Sequence, residues 1–378
     1  PSIPGKNIYL TIDAQLQTVA EKTLDGQRGA IVAIDPRNGD ILAFVSKPGF
    51  DPNPFVAGID PKTYDELQNS IDMPLFNRVL KGQYPPGSTL KPIVGLAGLE
   101  YEKTGINTTS FCPGWFRLEG DERKYRDWKP EGHGVINLDK AIVESCDVFF
   151  YDLALTLGID DMHRFFKQFG LGQKTGVDLP GELSGLLPSR EWKRRQYRQP
   201  WYPGETIITG IGQGYTLVTP LQLASATAIL ANRGINRQPR IVYATRDANN
   251  TDMKMQPSSE VTPPAIAKAT NWETIINSMV RVIHSAHGTA HGISYKIPYK
   301  IAGKTGTAQI FGIKQGEKYV KEDISRRLHD HALFIAFAPA EDPQIAIAII
   351  VENGGSGGGV AAPIARKIID QYMQLNKT

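Results

Sequence analysis

The stretch that decides the fold is residues 28–46, which read RGAIVAIDPRNGDILAFVS. Apolar and polar residues alternate on either side of Asn38-Gly39, a dipeptide that favours the tight turns of β-hairpins. We therefore predict an antiparallel hairpin whose two strands take residues 28–35 and 40–46.

Further strands are expected near the other end of the chain, at residues 299–310, 331–338 and 344–352, which are rich in apolar residues. The residues between the two groups contain mainly helix and loop signals, such as the N-cap Thr219 followed by Pro220. Strands from both ends that close one sheet around a helical insertion predict an α+β fold.

The predicted domain organisation follows from this pattern. Residues 1–27 are expected to form a linker and a first helix, and residues 28–376 the main domain. Within that domain we expect a helical lobe over about 88–297, inserted into an antiparallel sheet that takes residues 28–46 and 299–352 and is flanked by helices. A functional site is expected where the lobe meets the sheet.

Composition argues against several classes of protein. The chain of 378 residues carries 42 Lys and Arg against 39 Asp and Glu, with no dense basic block, so nucleic-acid binding is not indicated. Its longest apolar runs, residues 332–338 and 345–351, are far shorter than the roughly 18 residues of a membrane-spanning helix. Because the sequence begins at Pro1 without a leader pattern, we expect a fragment whose targeting segment has been removed.

One serine lies in a context suited to catalysis. Residues 84–92 read YPPGSTLKP, which places Ser88 directly after helix-breaking residues and at the start of an apolar helical stretch. A backbone N–H at a helix N-terminus is unpaired, and the helix dipole favours negative charge beside it. Lys91 projects from the same face and can accept the hydroxyl proton if burial or a second cation leaves some of it neutral.

Two further motifs follow along the chain. Residues 145–147 read SCD after a helical stretch at 138–144, and residues 304–307 read KTGT within the predicted strand 299–310. Serine penicillin-recognising enzymes require Ser-x-x-Lys, Ser-x-Asn and Lys-Thr-Gly in this order. The three motifs together are far more specific than Ser-x-x-Lys alone, which a chain of this length yields by chance.

With these motifs and residues 30–36, the chain resembles the transpeptidase domain of class B penicillin-binding proteins, from about residue 6 to residue 373. Residues 111–115 and 352–355 are most similar to the elongation-specific branch of that family. The resemblance implies the transpeptidase and β-lactamase-like fold. It also implies a peptidoglycan D,D-transpeptidase that cross-links stem peptides through a serine acyl-enzyme during cell elongation and is covalently inhibited by β-lactams.

The mechanism that follows assigns a role to each motif residue. Ser88 is expected to be the nucleophile and Lys91 its base, while Ser145 relays a proton to the leaving amine and Lys304 keeps the local potential positive. Backbone N–H groups of Ser88 and Thr307 are expected to form the oxyanion hole. The residues expected to bind substrate are Thr305, Gly306 and Thr307.

The second motif departs from the family pattern, because Asp147 stands where asparagine is usual. A carboxylate can accept a hydrogen bond from Lys91 or pair with it, but unlike an amide it cannot donate one to a substrate carbonyl unless it is protonated. We interpret Asp147 as a variant catalytic residue rather than as a sign of lost activity.

Several alternatives remain. A second Lys-Thr-Gly at residues 174–176 lies among turn residues and is not expected to be catalytic. A β-lactamase would share the three motifs, but the sequence after Glu182 lacks the Leu-Asn pair of class A enzymes. A D,D-carboxypeptidase differs mainly in its acceptor and stays an alternative, as does a penicillin-binding scaffold with little turnover.

Four potential metal ligands, Cys112, Asp127, His133 and Cys146, fall close together in the sequence. Such a set suits tetrahedral zinc, and four protein ligands would make the site structural rather than catalytic. The alternatives are a disulfide between the two cysteines, which an oxidising compartment permits, and two unrelated buried thiols. No cofactor is expected to be required for catalysis.

The resemblance also implies partners and a location. Peptidoglycan stem peptides and β-lactam inhibitors are the expected ligands, and a SEDS-family glycosyltransferase and rod-complex scaffold proteins the expected protein partners. The implied location is the periplasmic face of the bacterial inner membrane, with a single N-terminal anchor outside this sequence.

Overall fold

A computed structural model describes residues 4–248, 251–309 and 326–376. The helices are α1 Ala14–Thr23, α2 Asn53–Val56, α3 Pro61–Asn69, α4 Arg78–Lys81, α5 Lys91–Glu100, α6 Leu138–Val143, α7 Asp147–Leu157, α8 Ile159–Gln168, α9 Arg190–Tyr197, α10 Pro203–Gly210, α11 Pro220–Ala231, α12 Ala269–His284 and α13 Ala362–Leu375. The strands are β1 Asn7–Leu10, β2 Gly29–Ile34, β3 Ile41–Lys47, β4 Thr109–Cys112, β5 Trp115–Phe116, β6 Tyr125–Arg126, β7 Gly134–Asn137, β8 Asn236–Arg237, β9 Val242–Arg246, β10 Lys254–Met255, β11 Glu260–Val261, β12 Ala302–Ala308, β13 His331–Ala338 and β14 Ile345–Val351. Across these described ranges, no helix combines the length and apolar character needed to cross a membrane.

The main sheet has five strands in the order β12-β13-β14-β2-β3, and all neighbouring pairs are antiparallel. β2 and β3 form the predicted hairpin. At its turn, Gly39 has a φ of +84°, and an added Cβ would lie 2.3 Å from the carbonyl oxygen of Gln238, so only glycine fits there. β2 pairs with β14, which confirms that strands from both ends of the chain close one sheet.

The strand that carries the third motif is shorter than predicted. β12 begins at Ala302, opposite Phe337, and ends at Ala308, opposite His331, the first residue of β13. The end of the predicted strand, at Ile310, lies outside the described residues, as do all positions from 310 to 325.

Helices cover the sheet on both faces. α1 and α13 contact each other and pack against β3, β13 and β14, while α11 packs against β14 and β2 from the opposite side. All seven residues of β14 are accordingly buried. This is why the strand reads as the continuous apolar run IAIAIIV instead of an alternating pattern.

The second lobe is built around α7, which contacts α5, α8 and α10, and α12 links this lobe to β12. The range of about 88–297, for which the sequence predicts a helical lobe, also contains short antiparallel pairs, β4 with β7 and β5 with β6. It includes α11 as well, which packs against the sheet. Strands of two to four residues are too short to show a pattern, so the sequence does not predict them.

Candidate active site

Ser88 lies in a 3₁₀ turn, Gly87–Leu90, that runs directly into α5. Pro86 precedes the turn and Pro92 lies in the first turn of α5, where the missing N–H of proline costs no helical hydrogen bond. Ser88 is partly exposed. The serine therefore stands at a helix N-terminus, as its sequence context predicts, and is accessible from solvent.

Three close approaches at glycines hold this turn against β12 and against the loop after α10. An added Cβ at Gly87, whose φ is +54°, would lie 2.6 Å from the carbonyl oxygen of Thr307. The N–H of Gly87 donates to the carbonyl of Gly212 over 2.8 Å, and a Cβ at Gly212 would lie 2.2 Å from the carbonyl oxygen of Gly87. A Cβ at Gly306 would lie 2.7 Å from the Thr89 methyl group. Glycine is therefore what allows β12 to approach the serine turn.

Lys91 is fully buried, and acceptors surround its amino group. Its Nζ lies 2.9 Å from the main-chain oxygen of Ser145, 3.3 Å from Ser145 Oγ and 2.7 Å from Asp147 Oδ1. The ring of Phe150 lies beside it, with its centroid 5.4 Å from Nζ. A buried amine needs such partners whenever it carries a charge. The structure thus joins the first motif to the second.

Ser145 joins the second motif to the third. Its Oγ lies 2.8 Å from Lys304 Nζ, so its hydroxyl is within reach of two amines. Ser145 has a φ of +58°, an uncommon value for a residue with a side chain, and lies between the end of α6 and Cys146, the N-cap of α7. Backbone strain of this kind is common at functional sites.

Lys304 is completely buried on β12. Burial, and next the positive charge of Lys91, lower the pKa of Lys304 well below its usual range, although Asp147 acts in the opposite direction. A lowered pKa favours the neutral amine, which can accept as well as donate a hydrogen bond. Lys91 and Lys304 therefore need not both carry a positive charge at the same time.

β12 forms one edge of the sheet, and its free side faces the serine turn. The Gln213 side chain donates from Nε2 to the carbonyl oxygen of Thr307 over 3.0 Å, so this carbonyl points away from β13. In an antiparallel strand the N–H and C=O of one residue point to the same side. The N–H of Thr307 therefore also points away from β13, on the side of the serine turn.

The second Lys-Thr-Gly lies outside this site. Neither Thr175 nor Gly176 belongs to a strand, and their N–H groups donate to the Glu182 carboxylate over 2.7 and 3.2 Å. The segment is thus a turn, as its sequence predicts. Glu182, the residue considered for a β-lactamase, is buried and holds this turn.

Sequence reasoning missed three residues that contact the site. Gln213 binds Thr307, the main-chain N–H of Trp128 donates to Asp147 over 3.1 Å, and the hydroxyl oxygens of Thr289 and Thr305 lie 2.8 Å apart. Each of the three belongs to a loop rather than to a regular element. Neither the spacing nor the periodicity of the sequence carries a signal for contacts of this kind.

The four predicted metal ligands converge into one buried cluster, in which all four donor atoms lie within 4.8 Å of one another. The two cysteines are free thiols, so a disulfide between them is not formed in this structure. Four donor separations define the cluster: Cys112 Sγ to Asp127 Oδ2, 3.6 Å; Cys112 Sγ to His133 Nδ1, 3.5 Å; Asp127 Oδ1 to His133 Nδ1, 3.5 Å; and Cys146 Sγ to Asp127 Oδ2, 3.3 Å.

This cluster adjoins the second motif. Asp127 Oδ2 accepts hydrogen bonds from the main-chain N–H groups of Asp147 and Val148 over 2.8 and 3.1 Å. Burial alone would raise the pKa of Asp127, but hydrogen bonds from His133 and from main-chain N–H groups hold it well below its usual range. Burial and the neighbouring Asp127 carboxylate raise the pKa of the Cys146 thiol. The charge on Asp127 therefore acts directly on the main-chain N–H groups in the first turn of α7.

Comparison with known proteins agrees with this geometry. The family model described as the penicillin binding protein transpeptidase domain matches residues 29–370. A protein of Acinetobacter baumannii named peptidoglycan D,D-transpeptidase MrdA is 48% identical, over 99% of this chain and 55% of its own length. The chain thus spans about half the length of the curated relatives it matches.

Two solved structures show the same fold. PBP2 from Pseudomonas aeruginosa, solved in complex with WCK 5153, is 48% identical with a TM-score of 0.87, and the match covers 98% of this chain and 76% of that one. PBP2 from Helicobacter pylori, solved in complex with MreC, is 35% identical with a TM-score of 0.87, covering 98% and 64%. The chain therefore belongs to the penicillin-binding protein transpeptidase family, the family that its three motifs predict.

Proposed function

We propose that the domain is a serine-type D,D-transpeptidase that cross-links peptidoglycan stem peptides through a serine acyl-enzyme during cell elongation. The observation that supports the proposal most strongly is the convergence of Lys91 on α5 and Lys304 on β12 on the hydroxyl of Ser145. The names of the relatives, which include a peptidoglycan D,D-transpeptidase, support the same activity.

In the proposed first step, Lys91 acts in its neutral form: Ser88 Oγ attacks the carbonyl between the two terminal D-alanines, and the Ser88 proton passes to the Lys91 amine. The adjacent Asp147 carboxylate balances the charge that Lys91 gains. Ser145 Oγ, within 3.3 Å of one lysine and 2.8 Å of the other, relays a proton to the leaving nitrogen. The carbonyl–nitrogen bond breaks, D-alanine leaves, and an acyl ester on Ser88 remains.

The oxyanion formed during this attack is proposed to accept hydrogen bonds from the N–H groups of Ser88 and Thr307, each worth on the order of 3 kcal/mol. Two observations support this role: the side chain of Gln213 bonds to the carbonyl of Thr307, and the close approach at Gly306 brings the strand to the serine turn. The hydroxyls of Thr305 and Thr307 would bind the terminal carboxylate through hydrogen bonds to a charged acceptor.

In the second step, an amine of another stem peptide attacks the ester carbonyl, forms the new amide and releases Ser88. Attack by water instead would make the domain a D,D-carboxypeptidase. Slow acylation with little turnover would make it a penicillin-binding scaffold. The two steps can be measured separately, because the acyl-enzyme is a covalent intermediate.

The test of the first step is intact-mass analysis after incubation with benzylpenicillin. We expect one persistent drug-sized adduct on the wild-type chain and none on Ser88→Ala. Ser184→Ala, at an exposed serine, serves as the matched control and should form the adduct. A wild-type chain without an adduct would contradict the catalytic assignment. For the second step, a D-alanyl thioester donor incubated with and without a D-amino acid acceptor should give mainly the aminolysis product when the acceptor is present.

Location and partners belong to the same proposal. Peptidoglycan stem peptides lie outside the cytoplasmic membrane, so we propose that the domain faces the periplasm. A rod-complex scaffold protein is proposed as a partner because the similar PBP2 of Helicobacter pylori was solved in complex with MreC. A SEDS-family glycosyltransferase is proposed as a second partner. Pull-down with each candidate, using Ser88→Ala to exclude effects of turnover, tests these contacts.

The cluster of Cys112, Asp127, His133 and Cys146 is proposed to hold a structural zinc ion. Ligands at about 2.0–2.3 Å from tetrahedral zinc lie roughly 3.3–3.8 Å from one another. Four of the donor separations, at 3.3–3.6 Å, support such an arrangement, and all donor atoms lie within 4.8 Å of one another. Two thiols, one imidazole and one carboxylate are all accepted zinc ligands. The ion would stabilise the segment that connects the cluster to α7.

Native mass spectrometry with and without EDTA tests the zinc proposal. We expect one zinc ion per chain, removed by EDTA and reduced in Cys112→Ser and His133→Asn. His163→Asn is a matched control, because His163 bonds to the carbonyl of Pro188 instead of to the cluster. A chain without zinc whose denatured mass lacks two hydrogens would indicate the disulfide instead.

A further inference from the structure

Thr289 lies where three parts of the site meet. Its hydroxyl oxygen is 2.8 Å from that of Thr305 on β12. Its N–H donates to the carbonyl of Val143, two residues before Ser145, over 3.3 Å. Its own carbonyl oxygen lies against the helical turn Gly357–Ala361 that precedes α13, since a Cβ at Gly358 would come within 2.4 Å of it. Contacts on both sides of its backbone therefore fix the position of the Thr289 hydroxyl.

The direction of the bond between the two hydroxyls determines what Thr305 can bind. A hydroxyl has one proton to donate and two lone pairs that accept. Thr305 is buried, and among the described residues its hydroxyl oxygen bonds only to Thr289. If Thr305 donates its proton to Thr289, none is left for an anion. If Thr289 is the donor, the proton of Thr305 remains available.

We infer that Thr289 is a positioning residue for carboxylate recognition, which donates its proton to Thr305 and thereby directs the Thr305 hydroxyl proton to the terminal carboxylate of the substrate. The inference rests on the proposed function and adds a residue outside the three motifs. A carboxylate only accepts hydrogen bonds, so when it binds, Thr305 must donate to it and accept from Thr289. Because Thr289 donates to Thr305 and Thr305 donates to the carboxylate, the first hydrogen bond polarises the second and strengthens it.

Thr289→Val removes the hydroxyl while keeping a similar shape. Without Thr289 as donor, a lone pair of the buried Thr305 loses its partner, and the orientation of its proton is no longer fixed. We expect the second-order rate constant for acylation by benzylpenicillin to fall about fivefold to tenfold, the size of one hydrogen bond between neutral groups, because the bond that is lost joins two hydroxyls. The methyl ester of benzylpenicillin has no carboxylate, so its acylation rate should change little.

The experiment measures the ratio of acylation rates for benzylpenicillin and its methyl ester in the wild-type chain, Thr289→Val and Thr289→Ser. The inference requires a lower ratio in the valine variant and the wild-type ratio in the serine variant, which keeps the donor. Thr274→Val, at a threonine on α12, is the control for the same chemical change and should leave the ratio unaltered.

Two results would overturn the inference. If Thr289→Val slows both compounds equally, or neither, Thr289 acts only through packing. Thermal unfolding of each variant identifies a loss of folded protein, which lowers both rates together and leaves the ratio unchanged. If the wild-type chain reacts with neither compound, the proposed function itself is wrong, and this inference is wrong with it.

Discussion

The main-chain N–H of Trp128 donates to Asp147 Oδ2 over 3.1 Å, while Lys91 holds the other oxygen of the same carboxylate at 2.7 Å. Both oxygens therefore act as acceptors. An asparagine has one carbonyl oxygen, so its NH₂ group would face either a backbone N–H or an ammonium group. This geometry explains why an acid stands where the family pattern has an amide.

The first prediction concerns this position. Asp147→Asn should keep the contact with Lys91 through its one oxygen and lose the acceptor for Trp128, which lowers the free energy of unfolding by about 1–3 kcal/mol. Asp147→Ala leaves Lys91 without its counter-charge, so it should cost roughly 3–5 kcal/mol and also slow acylation. Urea unfolding and intact-mass kinetics measure the two effects.

Asp152→Asn, at an exposed position on the same helix, controls for the loss of a negative charge. It should change the free energy of unfolding by less than about 0.5 kcal/mol. If Asp147→Asn is as stable as the wild-type chain, the bond from Trp128 contributes nothing, and the explanation for the acid is wrong.

The second prediction concerns the turn after α10. Gly212 and Gly214 both have left-handed φ values, +72° and +76°, so alanine strains the backbone similarly at either position. A Cβ at Gly212 would lie 2.2 Å from the carbonyl oxygen of Gly87, whereas one at Gly214 would meet only the side chain of Ile208, at 3.2 Å. Only the first substitution pushes on the backbone next to Ser88.

We therefore expect Gly212→Ala to slow acylation by roughly 10²-fold, the loss seen when reacting groups are displaced by about 1 Å. Gly214→Ala should lower the melting temperature but keep near-normal acylation. Both rates come from intact-mass time courses with benzylpenicillin. Equal acylation rates in the two variants would show that the contact between Gly212 and Gly87 does not position the nucleophile.

Local sequence patterns predict the strands of the main sheet, and the three motifs can be read directly from the sequence. The Asn38-Gly39 turn predicts the first hairpin, whereas the three motifs are too far apart in the sequence for local patterns to predict that their side chains meet. Ser145 is 54 residues from Lys91 and 159 from Lys304, so only the family resemblance predicts their contact. Contacts of single loop residues, such as Gln213 with Thr307, depend on the folded chain and leave no pattern in the sequence.

The third prediction tests the core of the sheet. Ile347 is fully buried on β14, opposite Ala33 on β2 and Ala336 on β13. Ile347→Ala should cost about 2–5 kcal/mol and Ile347→Val about 0.5–1.5 kcal/mol, because the loss depends on the volume of the cavity created. Thermal unfolding should rank the variants in that order, while the folded fraction of each still forms the penicillin adduct. Similar melting temperatures for the two variants would contradict the tight packing of β14.

The fourth prediction concerns the dependence of stability on pH. His331 begins β13, where its Nδ1 accepts from the main-chain N–H of Asn353 over 3.1 Å and its ring lies edge-on to Tyr84 with centroids 5.5 Å apart. Burial lowers the pKa of His331; the Glu352 carboxylate opposes this shift and Arg28 reinforces it. Neutral histidine is therefore favoured in the folded state.

In the unfolded chain this histidine titrates near its usual pKa of about 6.5. Between the lower folded value and about 6.5, the unfolded state binds more protons, so stability falls as the pH drops through this range. His331→Asn keeps an acceptor for the N–H of Asn353 but removes the titration. We expect the wild-type chain to lose more stability than this variant between about pH 7.5 and pH 5.5.

Melting temperatures at the two pH values, compared among the wild-type chain, His331→Asn and His287→Asn, check this expectation. His287 lies exposed in the loop after α12, so its substitution controls for the loss of one imidazole. Most carboxylates stay ionised over this pH range, which leaves histidine as the main titrating side chain. If the wild-type chain and the His331→Asn variant show the same pH dependence, the unfolding equilibrium does not depend on the neutral state of the half-buried His331.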